Sequence, residues 1–179
     1  ISDFTTEIFE KCFFNCINLE SVDFGNSITT IGNQAFKNCQ KLTSVVFPSS
    51  LTSIGVKAFS GCSSLKEINI HAGVSIGEDA FTSCPLVTVS IDSNFGILFK
   101  QMKTLKTITI GDNVTEINEY AFYWSGLTSI TIPANVTSIS NLAFFGCAYL
   151  TSITIPDNIT SIGDNAFQSC ESLTSITIP

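Results

Sequence analysis

The apolar and polar positions of this chain follow one pattern that returns every 22 or 23 residues. Its anchor is a phenylalanine. Phe36, Phe59, Phe81, Phe122, Phe144 and Phe167 each follow Ala, and Phe13 and Phe99 hold the same place after Cys12 and Leu98. The steps from Phe13 onward are 23, 23, 22, 18, 23, 22 and 23 residues, which makes eight units, one of them shortened. A leucine follows each anchor, from Leu19 through Leu86 to Leu173, and the third and fifth residues after it are apolar in every unit, as at Ile153 and Ile155. A fixed period of this length marks a repeat architecture.

Within a unit, the alternation around Ile-Thr-Ile has the period of two of a strand with one buried face. Its β-branched residues suit a pleated surface. Pro48, His71, Asp92, Gly111, Pro133 and Pro156 then turn the chain. A second short extended piece follows, such as Val136-Thr137-Ser138-Ile139. Gly32, Gly55, Gly77 and Gly163 are expected to permit a sharp bend. The Ala-Phe-x-x-Cys stretch has the spacing of one α or 3₁₀ turn. One unit cannot bury both its apolar faces, but stacked units bury them in a continuous core. The expected fold is a β-rich solenoid of about eight 22–23-residue coils, with parallel strands and short helical or 3₁₀ turns. It forms a single domain over residues 1–179, with an irregular coil at about 92–102.

The motif Leu-x-x-Ile-x-Ile-Pro-x-x-Val-Thr-x-Ile-Gly-x-x-Ala-Phe-x-x-Cys resembles the BspA-like leucine-rich repeats. Leu150 through Pro156 and on to Cys170 fit it almost throughout, and the resemblance runs from about Ile8 to Pro179. It implies a leucine-rich-repeat superhelix and a cell-surface or secreted protein acting in adhesion to extracellular-matrix or plasma proteins. It assigns no binding residue. The departures are local: about four residues are missing near Asp92-Ser93-Asn94-Phe95, Met102 replaces Cys, and Ser125 takes the Cys place in the next unit.

Composition narrows the function. With 15 acidic against 8 basic side chains the net charge is −7, which disfavours nucleic acid as a partner. A single His leaves little for acid–base or metal chemistry. His71 reads as a turn residue, and Glu78-Asp79 and Asp164 read as solvated bend residues. No phosphate loop occurs, and no run of eighteen apolar residues exists to cross a membrane. No catalytic, cofactor or metal site is expected. Cys16, Cys39, Cys62, Cys84, Cys147 and Cys170 share one repeat position, with Cys12 extra. An odd count at the repeat period is a column of small core residues rather than a disulfide framework. Asn113, Asn135 and Asn158 open formal glycosylation sequons, all at one repeat position.

Two surfaces are candidates for binding protein. The outward strand residues form Ser/Thr rows, with Thr131, Thr154 and Thr177 at corresponding places. Such rows also invite an ice-binding reading, against which stands the ordinary suitability of Thr for strands. The second surface is aromatic: Tyr123 and Phe145 fall at one repeat position whose mixed identities imply exposure, close to Tyr120, Trp124 and Tyr149, the other reading being that these rings fill space left by the shortened coil. The chain opens at Ile1-Ser2-Asp3 and ends straight after a strand, at Ile178-Pro179. Both ends suggest a fragment of a longer array, with end-to-end self-association as a further contact. The leading expectation is a non-enzymatic recognition module; the alternative is a spacer displaying another domain.

Overall fold

The computed structural model describes residues 4–178. Ile1-Ser2-Asp3 and Pro179, on which the readings of the two chain ends partly rest, lie outside the described residues. The contacts divide into two compact units, Ile1–Leu86 and Val87–Pro179.

The first unit contains β1 (Glu7–Ile8), β2 (Thr30–Ile31), β3 (Ser53–Ile54), β4 (Glu67–Ile70) and β5 (Ser75–Ile76). Strands β1, β2, β3 and β5 form a parallel sheet in that order, one repeat per step, so Ile8, Ile31, Ile54 and Ile76 stand in a row. The second unit contains β6 (Thr88–Ile91), β7 (Thr107–Ile110), β8 (Glu116–Ile117), β9 (Ser129–Thr131), β10 (Ser138–Ile139), β11 (Ser152–Thr154) and β12 (Ser161–Ile162). There β6 pairs with β7 and β9 with β11, while β8, β10 and β12 form a second parallel sheet. Each unit is a parallel-strand β-solenoid.

The shorter ladder has four rungs in the first unit and three in the second, about seven turns against the eight expected. The missing rung belongs to the shortened repeat near residues 92–102, where the deletion removes the residues of the second strand. The longer strands show the predicted alternation, with Ile68, Ile70, Ile108 and Ile110 buried and the residues between them exposed. Three expected strands, around residues 22–24, 45–47 and 176–178, do not form as paired strands. In the first two, Phe24 and Phe47 replace the usual Ile. Their rings stack with centroids 6.0 Å apart.

Anchor rings form the core. Phe13, Phe36, Phe59 and Phe81 stack at 5.0, 5.1 and 5.3 Å, nearly parallel. Phe99, Phe122, Phe144 and Phe167 repeat the arrangement in the second unit at 5.8, 5.1 and 5.2 Å. Beside the shortened repeat, Phe95 adds a ring 5.1 Å from Phe99 and 5.5 Å from Phe122, filling volume that the lost residues leave.

The expected helical turns are absent among the described residues. Two residues before and two after most anchors the backbone is left-handed: Gln34 and Asn38 (φ 56° and 63°), Tyr120 and Trp124 (59° and 53°), Leu142 and Gly146 (57° and 72°). A left-handed residue every fourth position breaks a right-handed helix. Alternate amides close tight turns within the coil, as from Ala35 to the Gly32 carbonyl and from Lys37 to that of Gln34. The intervening amides of Gln34, Phe36 and Asn38 donate to the Val56, Ala58 and Ser60 carbonyls of the next coil. The stretch is therefore a third ladder between coils.

Gly32, Gly55, Gly77 and Gly163 are not left-handed, so the expected bend is not their reason. A Cβ on Gly55 would lie 2.6 Å from the Asn33 amide nitrogen and 2.7 Å from the Gly32 carbonyl carbon. Close approach of neighbouring coils is what requires glycine.

Candidate interaction surfaces

The strand face of the second unit is built by register. Pairing of β9 with β11 sets Ser129 beside Ser152 and Thr131 beside Thr154, while Ile130 and Ile153 point inward together. Thr131 and Thr154 are both exposed. Thr177 is exposed too, but it belongs to an unpaired segment and does not extend the row as a strand. A surface cleft of about 430 Å³ lies on this face, lined by Thr107, Thr109, Ser129, Thr131 and Pro133 among others. Other threonines are structural: the hydroxyls of Thr128, Thr151 and Thr160 donate to the Lys106, Thr128 and Thr137 carbonyls of the preceding coil.

The aromatic residues come together as a second surface. Tyr123 stacks on Phe145 at 5.2 Å, and Tyr120 meets Tyr123 edge-on at 5.4 Å. Trp124 lies 6.5 Å from Tyr123 and 6.1 Å from Phe145. Tyr120, Tyr123 and Phe145 are half-buried against one another, so this column is less open than its sequence suggests; Trp124 remains 42% exposed and Tyr149 61%. Lysines were not anticipated here. The Lys100 ammonium lies 4.7 Å from the Tyr120 ring and 5.5 Å from that of Tyr123, and Lys106 sits 5.0 Å from Tyr149. The signal available in the sequence was that Lys100, Lys103 and Lys106 fall in one shortened repeat.

The cysteine column is a hydrogen-bonded ladder. The thiols of Cys39, Cys62, Cys84, Cys147 and Cys170 donate to the carbonyls of Phe13, Phe36, Phe59, Phe122 and Phe144, at 3.1–3.3 Å. All seven cysteines are free, and only Cys12 and Cys16 are exposed. Burial first, then neighbouring thiols, push Cys39 and Cys170 up to about 12. Cys62 is raised by its hydrogen bond with Cys84 and then by burial, and Cys147 is raised by burial. Ser125 fits the column, its buried hydroxyl 3.3 Å from the Cys147 sulfur.

The remaining candidates have structural roles. The His71 ring nitrogens lie 3.0 and 2.9 Å from the Pro48 and Ala72 carbonyl oxygens. Side-chain amides of Asn113, Asn135 and Asn158 donate to Asp92, to the Asp112 carbonyl and to the Ala134 carbonyl, one coil back. Among the described residues no three His, Cys, Asp or Glu side chains converge as metal ligands.

Residues 1–98 and 97–179 match the family model described as the BspA type leucine rich repeat region. No curated protein matches the chain. Among solved structures, a leucine-rich repeat protein from Bacteroides ovatus superimposes with a TM-score of 0.84 at 30% identity, covering 98% of this chain and 47% of that one. The chain thus spans about half the length of that relative. The T. pallidum leucine rich repeat protein is similar at 27% identity with a TM-score of 0.57, covering 95% of this chain and 72% of that one. The pneumococcal vaccine antigen PcpA shares the fold, with a TM-score of 0.52 at 23% identity over 97% of this chain and 42% of that one.

Proposed function

The chain belongs to the BspA-type leucine-rich repeat family, and from that premise we propose that it is a non-enzymatic recognition module of a cell-surface or secreted protein. It adheres to host or matrix proteins through the strand face of its solenoid. The observation that carries the reading is the register of β9 and β11, which aligns Ser129 with Ser152 and Thr131 with Thr154 on one exposed surface. Such a surface is formed before any partner arrives, so little conformational entropy is lost on binding. Tyr123, Trp124 and Phe145, also expected as protein contacts, are set apart from this assignment. Two of the three rings are half-buried against each other, and the surface is rimmed by lysines rather than by the apolar pockets that protein anchors fill.

The test is saturable binding of the folded chain to immobilised fibronectin and fibrinogen. Thr131→Arg/Thr154→Arg places two long charged side chains on adjacent outward positions, away from the core. The pair is expected to weaken binding by tenfold or more, about 1.4 kcal/mol, with the melting temperature little changed. Retained affinity in the double variant moves the contact off this face. Absence of saturable binding by the folded chain favours the spacer instead.

A further inference from the structure

The charges of the second unit are unevenly placed. Residues 87–179 carry seven carboxylates and three lysines, and those lysines are Lys100, Lys103 and Lys106, all within seven residues of one another. Lys100 and Lys106 stand over Tyr120, Tyr123 and Tyr149. Lys103, together with Gln101 and Trp124, lines a surface cleft of about 390 Å³. None of the three lysines forms a salt bridge among the described residues. An acidic unit therefore concentrates its positive charge at the edge of its aromatic cluster.

The lining of the cleft comes from two successive coils, and a third backs it. The Gln101 amide donates to the Tyr123 carbonyl and that of Trp124 to the Phe145 carbonyl, which stacks the coils in that order. The indole lies against Gly146, where a Cβ would stand 2.6 Å from its ring atoms. One indole face thus rests on backbone in the coil beyond, and the cleft opens on the side of Gln101 and Lys103. Gly126 lets the chain press against the Lys103 backbone carbonyl, which sets the backbone of Lys103 against the coil that carries Trp124. Trp124 itself is left-handed, at a position held by Asn15, Asn38, Gly61 and Ser83 in other repeats. A bulky residue accepts that conformation at a cost, yet keeps its ring 42% exposed.

We propose that this cleft binds an acidic glycan, a sugar chain bearing carboxylate or sulfate groups. The apolar C–H face of a sugar ring matches the flat, rigidly backed indole. The side-chain amide of Gln101 supplies a donor and an acceptor for ring hydroxyls, and the Lys103 ammonium pairs with the anionic group. The cleft lies near the lower end of the roughly 300–1,000 Å³ range of small-ligand sites, the size of a short sugar segment. An acidic peptide is the weaker match, because peptide recognition draws on a free strand edge or a run of apolar pockets and the cleft lining offers neither. The site is distinct from the strand face and does not depend on it.

Trp124 is the only tryptophan of the chain, so its fluorescence reports on the site directly. The purified chain is titrated with hyaluronan tetrasaccharide (carboxylate alone), chondroitin sulfate tetrasaccharide (carboxylate and sulfate), neutral chitotetraose and poly-glutamate. The expected result is a saturable emission change with at least one acidic tetrasaccharide and none with chitotetraose; the two acidic arms separate carboxylate from sulfate recognition. Lys103→Gln, an exposed substitution, should weaken that binding about tenfold, the loss of one charge-assisted hydrogen bond. Thr131→Arg/Thr154→Arg should leave it unchanged. The proposal is overturned by silence with both acidic sugars, by an equal response to chitotetraose, by full affinity in Lys103→Gln, or by saturation with poly-glutamate in place of the sugars.

Discussion

Gly55 shows at the scale of a single residue what the stacking of coils demands. Its Cα faces the backbone of the preceding coil so closely that a methyl group would lie 2.6 Å from the Asn33 amide. The Asn33 side chain at 2.7 Å could move, but the Asn33 amide and the Gly32 carbonyl carbon are backbone, so the coils themselves must part. Gly55→Ala is expected to lower stability by about 1–3 kcal/mol, the range for overpacking in a close-packed interior. Gly73 makes the opposite case. A Cβ there meets nothing within 4 Å, but the backbone is left-handed at φ +80°. Gly73→Ala should therefore cost only the conformational strain, about 1 kcal/mol. Urea denaturation of the two variants separates the mechanisms, and a Gly55→Ala midpoint equal to or above that of Gly73→Ala would refute the close-approach account.

At the scale of the element, the strands were legible because a half-buried strand writes a period of two into the sequence, and Ile68-Asn69-Ile70 or Ile108-Thr109-Ile110 write it plainly. The Ala-Phe-x-x-Cys spacing suits a helical turn, yet the stretch is not helical, and the sequence does not show why because left-handed residues carry no single identity here: Gln34, Asn38, Tyr120 and Leu142 all adopt φ near +60°. The cysteine column was legible as core, while its bonds to the anchor carbonyls depended on how the coils register. That ladder has a pH signature. Burial holds the Cys39 and Cys170 thiols protonated up to about 12, against 9.0 when unperturbed. Between those values the folded chain binds more protons than the unfolded chain, so stability falls as pH rises. The contribution is whole below pH 9 and is lost progressively towards pH 12. Melting temperatures measured across that window should drop less steeply in Cys39→Ser/Cys170→Ser, since serine sits comfortably in the same column at Ser125. Identical slopes in both proteins would refute this origin.

For the whole molecule, repetition makes stability a local quantity, because each coil touches mainly its neighbours. The repeat, the parallel strands and the apolar columns were all visible in the spacing of eight phenylalanines. The lysine–aromatic cleft was not, since it arises where the period fails: the shortened repeat, Gly126 and a Trp at a left-handed position place Lys103 and an indole on the lining of one cleft. Phe122 lies in the middle of the second unit's stack, 5.8 Å from Phe99 and 5.1 Å from Phe144, and is fully buried. Phe167 stacks on Phe144 and is half-buried. Phe122→Ala should cost about 3–5 kcal/mol, the usual range for a core aromatic, and Phe167→Ala clearly less. Amide hydrogen exchange shows where the loss falls. With Phe122→Ala, protection should decline most at the Gln101 amide, which donates to the Tyr123 carbonyl, and at the Phe122 and Trp124 amides, which donate to Ala143 and Phe145. It should decline less at the Leu142 and Phe144 amides, whose acceptors Asp164 and Ala166 lie one coil further on. A uniform loss across both sets would mean that these coils open together, and that the ring stack couples them more tightly than nearest-neighbour packing requires.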